Sequence, residues 1–66
     1  MRYEIRIAGA VSEVVRHEAF PELASVVVPS QTLLFGQVTD DAHLYGLLSR
    51  CQALGLRVVE LRRLPE

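Results

Sequence analysis

Asp40, Asp41, His43 and Tyr45 form the densest group of chemistry-bearing side chains in this sequence. A carboxylate beside an imidazole suits general acid–base catalysis, provided a cleft holds both and tunes their pKa values. The same residues have a simpler role available. Asp40 and Asp41 open a helix-forming segment, where carboxylates favour the positive end of the helix dipole. His43 and Tyr45 fall on the polar side of that helix. This second reading needs no cleft, so no catalytic residue is expected.

Glu13 and His17 stand at i and i+4 and offer two ligands of the kind zinc takes. Zinc usually takes three or four protein ligands, and His43 or the Asp40–Asp41 pair would have to supply the rest. A solvated surface pair is the simpler reading, and no metal is expected. Cys51 is the single cysteine, so it has no partner for a disulfide or a Cys-x-x-Cys loop. It lies on a leucine-bearing face and reads as a small buried hydrophobe. Gly9, Gly36, Gly46 and Gly55 are too scattered to cradle a phosphate. No cofactor is expected.

All seven cations are Arg, and the net charge is −1. That balance is too close to neutral for a general nucleic-acid or membrane binder. The absence of Lys and Asn fits the coding bias of a GC-rich genome. Charge is still unevenly placed: Glu13, Glu18 and Glu22 crowd the first half, and Arg50, Arg57, Arg62 and Arg63 the end. Arg57, Arg62 and Arg63 are the candidate phosphate contacts of an alternative, nucleic-acid-binding reading.

The elements that must position these residues follow from apolar spacing. Tyr3, Ile5 and Ile7 alternate with Arg2, Glu4 and Arg6, the period of a half-buried strand. Ser12 reads as the N-cap of a short helix with Val11, Val14, Val15 and Ala19 on its apolar stripe, closed by Phe20-Pro21. Leu23–Val28 and Thr32–Val38 read as strands of a hairpin around Pro29-Ser30-Gln31. Residues 40–55 carry Leu44, Leu47, Leu48, Cys51 and Leu54 at helical spacing, with Gly55 as the stop. Gly46, within that helix, suggests close approach to a neighbouring backbone. Leu56–Leu64 reads as the last strand, ended by Pro65.

The order βαββαβ in 66 residues closes most naturally as an α+β, ferredoxin-like domain. Such a domain has a four-stranded antiparallel sheet with both helices on one face. Strands 1 and 3 lie centrally and strand 4 flanks strand 1. Glu4 and Arg6 then meet Glu60 and Arg62 on the face away from the helices. Phe35 shares parity with Leu33, and the simplest register turns both towards the helices.

Tyr3-Glu4-Ile5-Arg6-Ile7-Ala8-Gly9 at one end, and Asp41–Arg50 with Leu54–Arg63 at the other, resemble a group of short uncharacterised bacterial proteins. The resemblance covers both ends of the chain, and the middle only in length and element order. Many in the group have Gln where this chain has Asp41, and a longer aliphatic residue where it has Cys51. The resemblance implies a ferredoxin-like fold and brings no activity, and the departure at Cys51 argues against thiol chemistry.

Half of the residues are apolar, a rich supply for a chain that buries only about 60% of its unfolded surface. Some apolar side chains must therefore remain outside. With Leu33 and Phe35 inward, Leu34 faces outward together with one parity of the Val26–Val28 run. Val27 and Leu34, with Arg57, Arg62 and Arg63, are the expected interaction surface. Such exposure marks association. We therefore expect a single non-enzymatic domain, for interaction or small-ligand sensing, working as a homodimer through its sheet. Regulatory ACT-type domains are similar in fold and size, and bind small molecules at such interfaces. The charged, alternating N-terminus is unlike a signal peptide, so a cytoplasmic location is expected.

Overall fold

A computed structural model describes the whole chain, Met1–Glu66. The elements run β1 (Arg2–Ala8), α1 (Glu13–Ala19), β2 (Ala24–Val28), β3 (Gln31–Gln37), α2 (Asp41–Ala53) and β4 (Val58–Leu64). The four strands form one antiparallel sheet in the order β2-β3-β1-β4, the ferredoxin-like arrangement.

Each helix is bounded by the chemistry its ends require. The Ser12 hydroxyl accepts the Val15 N–H and starts α1, and an Asp40 carboxylate oxygen accepts the His43 N–H at 2.8 Å and starts α2. At the end of α2 the Leu56 N–H returns to the Cys51 carbonyl and the Gly55 N–H to that of Gln52. Gly55, at φ 72°, supplies the left-handed residue this Schellman closure needs.

The core lies between the sheet and both helices. Ile5, Ile7, Leu34 and Val38 come from the sheet side, Leu44, Leu47 and Cys51 from α2, and Val11 and Phe20 from the segments flanking α1. Ile5 stands opposite Leu34 and Ile7 opposite Thr32, so these residues share the helix-covered face. Val15 and Ala19 pack on the same cluster, but Val14 does not join the stripe and is largely exposed.

The parity of β3 is opposite to the sequence expectation. Leu34 is 1% exposed and sits in the core, while Leu33 and Phe35 turn to the open face. The cause is Thr32, which is fully buried although polar. Its hydroxyl accepts the Val11 N–H and donates to the Gly9 carbonyl, both at 2.9 Å, tying the β1–α1 loop to the sheet. A hydroxyl with both partners present can be buried without the penalty of an unmade hydrogen bond. The hairpin then fixes β2: Val27 pairs with Thr32 and lies on the helix side, leaving Val26 and Val28 on the open face. Gly46 also departs from expectation. A Cβ there would meet nothing within 4 Å, so it faces solvent and no backbone.

Candidate functional site

The polar groups of α2 are gathered at its first turns and at Arg50. Thr39 N–H donates to His43 Nδ1 at 3.0 Å, so the proton of the neutral ring sits on Nε2. That nitrogen lies 3.1 Å from a carboxylate oxygen of Glu22, in the α1–β2 connection. Arg50, two turns further along α2, donates to both Glu22 oxygens at 2.9 and 3.1 Å and to the Ala19 carbonyl at 3.0 Å. The Arg50 hydrogen bond holds the Glu22 carboxyl down at about 2 against a smaller opposing effect of burial, with His43 adding to the lowering. A carboxylate so acidic stays ionised and is a poor proton acceptor near neutral pH. The cluster fastens the α1–β2 connection onto α2.

Asp40 and His43 therefore meet through a helix cap, while Asp41 is exposed and Tyr45 is 65% exposed on the solvent side of α2. An open groove of about 500 Å³ lies beside the cluster, lined by Ala19, Pro21, Glu22, Arg50, Ala53 and Leu54 together with Glu18. Its central charges, Glu22 and Arg50, already satisfy each other.

Glu13 and His17 approach to 3.8 Å, both well exposed to solvent. No three His, Cys, Asp or Glu side chains converge as a metal-binding group. Cys51 is fully buried, and desolvation pushes its thiol pKa up, which keeps it protonated and unreactive.

The open sheet face divides into two halves. Val26, Val28, Leu33 and Phe35 make an apolar half on β2 and β3, by the parity of the ladders. On β1 and β4, Glu4 lies opposite Arg62 and Arg6 opposite Glu60, as the strand order required. Arg6 Nε reaches Glu4 at 3.3 Å and Glu60 at 3.1 Å, and Arg62 Nε is 3.8 Å from Glu4.

Of the five expected surface residues, Leu34 is removed by its burial. Val27 stays 43% exposed, but on the helix side of edge strand β2 rather than on the open face. Arg57, Arg62 and Arg63 do not converge. Arg62 belongs to the open face with Glu4, its neighbour Arg63 points to the other face opposite Tyr3, and Arg57 precedes the far end of β4.

Sequence reading missed Glu22 and Arg50 as a pair, because 28 residues separate them and no local spacing marks the contact. It also missed the edge of β4. There Val58 is 36% and Leu61 38% exposed, opposite Ile7 and Ile5 and so on the side of the strand that the helices should have covered. The signal was present in the strand order, which leaves β4 with a neighbour on one side only.

No helix of the protein is long and apolar enough to cross a membrane. Comparison with curated proteins and with solved structures gave no match. A family model described as a domain of unknown function (DUF8691) matches residues 2–62, nearly the whole chain, and the protein belongs to that family.

Proposed function

We propose that this domain is a non-enzymatic interaction or small-ligand-sensing module that acts as a homodimer through its sheet. The observation that carries the reading is the apolar exposure at both sheet edges: Val26 and Val27 on β2, and Val58, Val59 and Leu61 on β4. Unpaired edge strands with apolar side chains are templates for pairing with another chain. The polar residues that would suit catalysis are engaged in a cap and a strap, which supports a non-enzymatic role.

A nucleic-acid accessory role has less support. Arg62 and Arg63 point to opposite faces, and Phe35 on the open face stands opposite the Glu4 carboxylate, which repels phosphate. Sedimentation of the 7.4 kDa chain across a dilution series, in low and high salt, tests the proposal. A dimer that persists through dilution and salt supports it. A monomer under all conditions contradicts it.

A further inference from the structure

The edge of β4 has a charge pattern and a backbone parity that fit a second copy of itself. Val38 N–H donates to the Met1 carbonyl and the Met1 amino group to the Val38 carbonyl, and Gly9 N–H donates to Ser30. Odd-numbered residues of β1 therefore bond to β3, and its even-numbered residues bond to β4. Arg6 and Glu4 are even, so their partners Glu60 and Arg62 direct their backbone groups inward to β1. Leu61 and Arg63, the alternate positions, direct N–H and C=O out of the sheet. Val59, the extra residue where the β1–β4 register shifts, and Pro65 bracket this regular stretch.

Only antiparallel registers that oppose outward-directed residues can bond across a twofold axis. Placing Leu61 against Arg63 of a second copy sets Arg62 against Arg62, and placing Val59 against Leu61 sets Glu60 against Glu60. Arg63 against itself also brings Glu60 against Glu66. Val59 against itself overlaps only the start of the strand. Leu61 against Leu61 is different. It centres on the middle residue of Val58–Leu64, and sets Glu60 against Arg62 twice. Those are non-hydrogen-bonded positions, where opposed side chains come closest.

That register also continues a charge order already present within one chain. Arg6 and Glu60 pair at 3.1 Å, and Arg62 lies beside Glu4. Across the joint the row would read Arg6, Glu60, then Arg62 and Glu4 of the second copy. Charge alternates without a like-charge neighbour. On the opposite face the two exposed Leu61 side chains cover each other.

We propose that β4 pairs antiparallel with β4 of a second copy about Leu61, making one continuous eight-stranded sheet. This rests on the homodimer reading above and specifies its joint. Charge exchange tests it on the full chain. Glu60→Arg and Arg62→Glu each place like charges at both symmetric pairs, and each should weaken self-association about tenfold or more. Mixing the two variants restores both opposite-charge pairs across the joint, so the mixture should recover the lost affinity as a heterodimer. The loss of intrachain ion pairs cannot be repaired by mixing, which separates the joint from a folding defect. Circular dichroism establishes that each variant is folded.

A folded Glu60→Arg variant that dimerises like the parent overturns the β4 joint and leaves the homodimer reading intact. A mixture that recovers nothing also overturns the joint. A monomeric parent chain overturns both.

Discussion

The Glu22 carboxylate receives the Arg50 guanidinium at 2.9 and 3.1 Å, joining the connection after α1 to the third turn of α2. Both side chains are partly exposed, so the contact stabilises the fold by a surface-pair amount, about 0.5–1 kcal/mol. Glu22→Gln should cost that much in urea denaturation at pH 7. The pH dependence has a definite sign. The carboxyl is lowered from 4.5 to about 2 on folding, so between those values the unfolded chain binds the extra proton. The contribution is therefore full above about pH 4.5 and is lost as the pH falls towards 2. The Glu22→Gln difference should shrink across that window, and a difference that stays constant would contradict the assignment.

The β3 parity predicts opposite outcomes at two adjacent leucines. Leu34→Ala removes a core side chain and should cost about 2–5 kcal/mol, enough to unfold much of so small a domain. Leu33→Ala, on the open face, should cost less than about 1 kcal/mol. Thermal melts of the two variants compare them directly, and equal losses would refute the parity.

Thr32→Val keeps the shape of the side chain and removes its hydroxyl. The buried Val11 N–H then loses its acceptor and the Gly9 carbonyl a donor. The expected loss is about 1–3 kcal/mol in denaturant titration. A neutral outcome would mean that the β1–α1 loop is held by other contacts.

Gly46 lies in α2 on the solvent side, with open space where a Cβ would stand. Gly46→Ala should stabilise the domain by up to about 1 kcal/mol, since alanine has less backbone freedom to lose in a helix. A rise of several degrees in the melting temperature is expected. A fall would place a neighbour against this face.

How much of this was legible in the sequence follows from the range of each cause. Ser12, Asp40 and Gly55 act within one helical turn, so their letters and spacing located both helices to within a few residues. The strand order followed from connection rules, and it brought Glu4 to Arg62 and Arg6 to Glu60. Parity in β3 was illegible because it depends on Thr32 finding partners at Val11 and Gly9, more than twenty residues away. A buried threonine with both bonds made looks, as a letter, like a solvent-facing one. The same mistake moved Leu34 and Val27 onto the wrong face. Asp40 caps α2 as its position indicates, but Glu22, which meets both His43 and Arg50 from the α1–β2 connection, has no local signature.

Backbone amide hydrogen exchange, followed residue by residue across a protein dilution series, tests association through the sheet most directly. In a lone chain the Leu61 and Arg63 amides face solvent and exchange fast, and pairing with a second copy protects them. Protection at these sheet amides should grow with protein concentration. An exchange pattern independent of concentration at every sheet residue would contradict it.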